Sequence, residues 1–246
     1  MQIHRYKSYD ELSQAAASLV VQQVQNKPHS LICLPSGESP TAMFRYLIKY
    51  AEEGKVDFSH THFVGLDEWV GMDKNNAGSC SHYLSEHFFS ELDLSPTQVR
   101  FFDATVNDLD RECQKMNDYI ARCGGLDMMI VGIGMNGHIG LNEPGASFNS
   151  YAHHSALAPV TIEVAQKYFK QQTHLTKGIT LGLGHLAEAG TAVLIASGIK
   201  KAGIIARALD GPVTTDVPAS IFKNLPNAQV FLDDDAANEL TKHQDS

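Results

Sequence analysis

The chain has 246 residues, with 28 Asp and Glu against 19 Lys and Arg, a formal net charge of −9. That balance argues against a nucleic-acid surface, which needs basic residues to displace phosphate counterions, and against a binder of anionic membranes. Hydrophobic residues at 43% and charged residues at 19% describe a folded chain with a large core, and the absence of repeats or Pro/Gly/Ser-rich linkers predicts a single domain over residues 1–246.

Met1 to Tyr6 is not followed by the apolar run of a signal peptide, and no stretch approaches the roughly 20 apolar residues of a membrane span. Ser8-Tyr9-Asp10-Glu11 fits a capping box, after which Leu12, Ala15, Ala16, Leu19 and Val20 recur at helical spacing. Leu31 to Leu34 is a short apolar strand. Met43, Phe44, Leu47, Ile48 and Ala51 form one helical stripe, closed by Gly54. A second strand is predicted at His62 to Leu66, a helix over 81–91 and a short strand at Val99 to Phe102. Leu109, Cys113, Met116, Ile120 and Cys123 mark a helix stopped by Gly124-Gly125. Leu126 to Val131 is the most apolar strand. Ile179 to Leu181, Ala192 to Ala196 and Gln229 to Leu232 complete the strands, with a helix near 199–209. The cysteines Cys33, Cys80, Cys113 and Cys123 form no CxxC pair and read as buried thiols of a cytoplasmic protein.

Uniformly apolar strands separated by helices imply a doubly wound, Rossmann-like α/β fold, with a mainly parallel sheet covered on both faces. Ligands of such sheets bind beyond the C-terminal strand ends, which directs attention to four loops. Pro35-Ser36-Gly37-Glu38-Ser39-Pro40 joins a strand to a helix. Its backbone N–H groups and hydroxyls suit a phosphate, although the same residues also describe an ordinary βα turn with a serine cap. Leu66-Asp67-Glu68-Trp69 puts adjacent carboxylates directly after an apolar strand. Such an acid can serve as a base with a perturbed pKa, or it can cap a helix or pair on the surface. Trp69 fits either the core or the wall of a sugar pocket.

The third loop, Gly132 to Gly145, contains GxGxxG. A dinucleotide site is rejected, because Gly140, Pro144 and Gly145 break the helix that the motif should open, and Glu163 does not sit at a strand end where a ribose-binding acid belongs. What remains is a glycine-rich loop with Asn136, His138 and Glu143, where a carboxylate can orient a histidine for proton transfer. In the fourth loop, Ser197 to Lys201, a lysine can complete a phosphate site, while Lys200 reads as a solvated side chain. Among the twelve histidines, His60 with His62, His82 with His87, and His153 with His154 lack the spacing of a zinc site, so no metal is expected.

Together these segments resemble the glucosamine-6-phosphate deaminase/isomerase family over nearly the whole chain. The resemblance is carried by Ser36-Gly37-Glu38-Ser39-Pro40, Leu66-Asp67-Glu68-Trp69, the stretch Gly134 to Pro144, and Gly198-Ile199-Lys200-Lys201, with GHxxxNEP the most specific. It implies that Asp67 moves a proton between C2 and C1 and that His138, oriented by Glu143, is the acid/base of ring opening. It also implies that Lys201 and the loop residues Ser36, Gly37 and Ser39 hold the phosphate, with Lys167 near the position of a phosphate-binding arginine. The related 6-phosphogluconolactonases share the fold, but Asn142-Glu143-Pro144 disfavours their lactone hydrolysis.

Asn136 stands where the family's deaminases have Asp. With Lys27-Pro28, Ile32-Cys33-Leu34 and Gly125-Leu126-Asp127, it resembles the galactosamine-6-phosphate branch, which implies tagatose 6-phosphate and ammonia as products. The alternative is glucosamine 6-phosphate giving fructose 6-phosphate and ammonia, since the residues do not encode specificity at C4. Glu38 replaces a small residue of the phosphate loop, where a carboxylate would repel phosphate unless it points away. Residues 146–156 lack Lys and Arg, so activation by N-acetylglucosamine 6-phosphate is not expected. The implied reaction needs a small-molecule sugar phosphate and no cofactor. A non-catalytic sugar-phosphate sensor would not need Asp67 and His138 together. Family members are often homo-oligomers, and no residue here specifies an interface.

Overall fold

A computed structural model describes residues 1–241; the expected domain range ends in 242–246, which lie outside the described residues. In chain order the elements are β1 (Gln2–Tyr6), α1 (Tyr9–Asn26), β2 (Leu31–Leu34), α2 (Glu38–Glu52), β3 (His62–Gly65), β4 (Asp67–Trp69), α3 (Cys80–His87), β5 (Val99–Arg100), α4 (Leu109–Arg122), β6 (Met128–Val131), β7 (His153–Ala156), α5 (Pro159–Ala165), β8 (Lys177–Thr180), α6 (Leu183–Glu188), β9 (Thr191–Ala196), α7 (Ala202–Leu209) and β10 (Ala228–Asp233).

Seven strands form one sheet in the order β1-β10-β9-β6-β2-β3-β5, with every pairing parallel. The alternation of side chains along each strand divides the core in two. Leu31, Cys33, Met129, Val131, Leu194 and Ala196 face α4, α6 and α7, while Ile32, Leu34, Met128, Ile130, Val193 and Ile195 face α1 and α2. Both faces are therefore buried, which is why these strands read as unbroken apolar runs. Each fully buried Leu, Ile or Phe stabilises the fold by about 1.5–3 kcal/mol relative to exposure. Phe44, Phe63 and Phe88 form one aromatic cluster on the α2 side, with ring centroids 5.0 and 5.8 Å from Phe88.

Ser8 caps α1 by accepting from Glu11 N at 3.2 Å, as the capping-box pattern predicts. The return bond differs: Glu11 Oε2 accepts from Lys7 N at 3.1 Å rather than from Ser8. Met1 to Tyr6 contributes an edge strand, with Gln2–Tyr6 paired to β10.

The sequence reading is corrected in three places. Ile179 and Thr180 do not join the parallel sheet; β8 is the centre of a separate antiparallel sheet, β4-β8-β7. The cause is Leu66, whose N–H bonds Leu34 O in the large sheet while its carbonyl accepts from Leu181 N. The chain thus leaves one sheet as β3 and enters the other as β4 without a loop. The helix expected over 81–91 ends at His87 and continues as a 3-10 turn at Phe89–Glu91. Cys123 is exposed at the C-cap of α4, whereas Cys33, Cys80 and Cys113 are buried. Among the described residues, no helix is long and apolar enough to cross a membrane.

The strand order reverses direction between β2 and β6, and a doubly wound sheet opens a crevice at that point. The loops after β9, β6 and β2, and the Leu66 junction after β3, leave four adjacent strands and converge there.

Candidate active site

A cleft of about 190 Å³ lies at this crevice, and its lining includes Ser36, Asp67, Trp69, Cys80, His138 and Lys201. The four segments singled out from the sequence therefore meet in one place, although the second, Leu66 to Trp69, is a junction and strand β4 rather than a loop.

On β4, successive side chains point in opposite directions. Glu68 turns inward, is 1% exposed, and accepts from Trp69 N, Cys80 N and Ser81 N at 2.9 Å each and from Ser81 Oγ at 2.7 Å. It anchors the start of α3, where unpaired N–H groups favour an anion. Asp67 is left facing the cleft. Burial, and then the negative charge of Glu68, push its carboxyl up to about 7, against a bond from Cys80 that lowers it. The two readings that the sequence left open thus fall on different residues: Glu68 holds a helix terminus, and Asp67 is the perturbed acid.

His138 lies in the glycine-rich loop after β6. A Cβ on Gly134 would stand 2.2 Å from His138 Nε2, so only glycine lets the ring lie there. His138 Nδ1 is 3.4 Å from Glu143 Oε2 and 3.2 Å from Thr161 Oγ1. Asn136 completes the group: its Oδ1 accepts from His138 N at 3.1 Å and its Nδ2 donates to Glu143 Oε2 at 2.8 Å. Glu143 Oε1 accepts from Ala158 N, the residue before α5, at 3.1 Å. Burial alone would raise the Glu143 carboxyl. The bonds from His138 and Thr161, the His138 charge and the Asn136 bond outweigh it and hold the group at about 2. The segment 132–145 opens into no helix, and Glu163 sits on α5, so neither element of a dinucleotide site is built.

That depression has a consequence for stability. A carboxyl lowered from 4.5 to about 2 stabilises the fold above pH 4.5 and loses this contribution as pH falls towards 2. The amount is about 3 kcal/mol at most. Urea denaturation at pH 5 and pH 2.5 is expected to show a smaller acid loss in Glu143→Gln than in the unmodified chain. Equal losses would remove this role.

Where β2 leads into α2 along the cleft, Gly37 adopts φ 100°, a left-handed conformation that favours glycine, and turns the chain into the helix. The residues of α2's first turn line the cleft, where helix N–H groups have no intrahelical acceptor. Tyr9 supports them from behind, donating its hydroxyl to Glu38 O at 2.7 Å and accepting from Ala42 N at 3.1 Å. Ser36 faces the Cys80 thiol, and Ser39 packs beside Gly132. Lys201 ends a 3-10 turn, Ile199–Lys201, before α7, and its Nζ donates to Ile133 O at 2.6 Å. Burial, and then the nearby Lys167 charge, lower its pKa, while Glu38 opposes them. Lys200 is exposed. Lys167, on the 3-10 turn Gln166–Tyr168, also borders the cleft, with Nζ 2.7 Å from Glu38 Oε2.

Several supporting residues carry no sequence signal. Thr161 lies on a helix that the periodicity did not reveal. Cys80 starts α3 and reads as one buried thiol among four. Asp233, at the end of β10, accepts from Gly198 N at 3.0 Å and from Ser197 Oγ, and so fixes the loop that presents Lys201. Trp69 resolves as both core and cleft wall. Among the described residues no three His, Cys, Asp or Glu side chains group as metal ligands.

An acid poised near neutrality and a histidine–carboxylate pair, set together at the switch point of a parallel sheet, define an α/β enzyme of acid–base chemistry. The chain belongs to the family of glucosamine-6-phosphate isomerases/6-phosphogluconolactonase, which it matches over residues 7–231. It is 34% identical over 232 residues to the glucosamine-6-phosphate deaminase of Thermoanaerobacter pseudethanolicus, covering 94% of this chain and 92% of that one. With the glucosamine-6-phosphate deaminase of Lachnoclostridium phytofermentans the identity is 36% over 232 residues, 94% of this chain and 98% of the other. The structure of a monomeric glucosamine-6-phosphate deaminase superposes with a TM-score of 0.94 at 30% identity, covering 97% of this chain and all of that one.

Proposed function

We propose that the chain converts glucosamine 6-phosphate to fructose 6-phosphate and ammonia. The observation that carries this reading is the meeting of Asp67 with the His138–Glu143 pair in one cleft that Lys201, Lys167 and the start of α2 also line. The substrate follows from the names of the relatives reported above.

An amino sugar phosphate is a closed ring, and its C2–H is not acidic. His138 shuttles the proton needed to open the ring, and Glu143 orients it. Opening creates an aldehyde at C1, so C2–H becomes α to a carbonyl. Asp67 then removes that proton and returns it to C1 through an enolamine. The resulting ketose imine is hydrolysed and releases ammonia. A carboxyl near 7 suits this cycle, because it both accepts and returns a proton at neutral pH. Ser36, Gly37, Ser39, Lys201 and Lys167 hold the phosphate away from the reacting carbons, so its binding energy serves positioning.

A second reading takes galactosamine 6-phosphate to tagatose 6-phosphate. It rests on the resemblance of Asn136 to the galactosamine-6-phosphate branch; the amide donates to Glu143 Oε2, a bond that an ionised Asp at this position could not make. Ammonia release from the two sugars decides between them. The expected result is a higher kcat/KM with glucosamine 6-phosphate and no rise in turnover when N-acetylglucosamine 6-phosphate is titrated in. A reversed ratio selects the second reading, and no ammonia from either sugar overturns both.

A further inference from the structure

Glu38 has no place in the reaction just described, yet it sits at the phosphate end of the cleft. Its side chain is 72% exposed, and its carboxylate pairs with Lys167 Nζ at 2.7 Å. Both lysines that border the cleft are engaged by protein acceptors: Lys201 by the Ile133 carbonyl and Lys167 by Glu38. Lys201 also senses the Lys167 charge, and Glu38 offsets that repulsion. The carboxylate projects from the first turn of α2, whose N-terminus favours negative charge. A phosphate bound at this turn would compete with it for the same helix end and the same ammonium.

We infer that Glu38 is a built-in counter-anion for the phosphate end of the cleft, so that phosphate binds by displacing a carboxylate from Lys167 rather than by adding to a bare cation. Glu38 thereby sets a threshold of charge. A dianionic phosphate carries more charge and more acceptor oxygens than the carboxylate it replaces, whereas a sugar bearing a single weak anion does not. The residue is a specificity determinant and touches none of the reacting carbons. The inference rests on the proposed reading of this end as the phosphate subsite.

The test is calorimetric titration with inorganic phosphate, which needs no turnover, alongside steady-state kinetics. Glu38→Gln keeps the shape of the side chain, and the loop backbone stays held by Tyr9. This variant is expected to bind phosphate about two- to fivefold more tightly, the size expected of an exposed ion pair. KM should fall by a similar factor, with a smaller change in kcat. In a Lys167→Met background, the same substitution should change phosphate affinity by less than it does in the parent. Unchanged or weaker phosphate binding by Glu38→Gln overturns the inference and makes Glu38 either a surface charge or a brace for Lys167. Tighter phosphate binding in a chain that releases no ammonia would leave the inference standing and sink the proposed reaction. Ammonia release with unchanged phosphate affinity would do the reverse.

Discussion

Asp67→Asn is expected to lower kcat by about 10²–10⁴-fold, the range typical of removing a positioned general base, with KM little changed. Asn fills the same volume but cannot take the C2 proton. The fold should not suffer, because the N–H groups at the start of α3 are held by Glu68, while Asp67 meets only the Cys80 thiol there. The sign of the stability change makes the test sharp. Burial and Glu68 raise the Asp67 carboxyl from 3.8 to about 7, so the folded state holds this proton more tightly than the unfolded chain does. Stability therefore declines as pH rises from about 4 to 7, and above 7 the folded protein carries the full cost of a buried charge. The neutral amide avoids that cost. Chemical denaturation at pH 8 should find Asp67→Asn more stable than the unmodified chain, even though it is the slower enzyme. The same carboxyl should also set the acid limb of kcat/KM, with activity falling below about pH 7 as the base is protonated. A variant that is both destabilised and only mildly slowed would assign Asp67 a structural role.

The contrast between Asp67 and Glu68 shows what was legible in the sequence. Paired carboxylates after an apolar strand marked the place, but which of them faced the cleft depended on the phase of β4. That phase is set by pairing with β8, which lies 110 residues further along the chain. The small sheet escaped notice for the same reason. His153 to Ala156 has neither apolar alternation nor a continuous run, and it forms a strand only because Lys177–Thr180 lies alongside it. The large sheet was plain because burial on both faces writes itself into every residue of β2 and β6 and into all of β9 after Thr191. Loops that leave those strands, with Ser36, His138 and Lys201, were legible with them. Thr161 and Asp233 were not, since each acts through long-range hydrogen bonds and a lone polar residue gives no periodic signal. Glu38 was visible as a misfit, but its partner was named only as a second phosphate ligand. The ion pair between them is a fact of the tertiary fold.

His138→Gln is expected to slow turnover of the cyclic substrate by about 10²-fold or more, yet for a reason separable from that of Asp67. In the proposed reaction, ring opening and C2 proton transfer are consecutive, and different groups would serve them. His138 stands on the Gly134 turn with Glu143 and Thr161 at its Nδ1, whereas Asp67 lines the cleft from β4. An acyclic aldose 6-phosphate analogue needs no ring opening. Exchange of its C2 hydrogen with deuterated water should therefore survive in His138→Gln and be lost in Asp67→Asn. Glu143→Gln should likewise retain exchange, because this carboxylate orients His138 and not the group that takes the C2 proton. Loss of exchange in both the Asp67 and His138 variants would merge the two roles into one coupled proton relay. Retention in both would remove Asp67 from the chemistry.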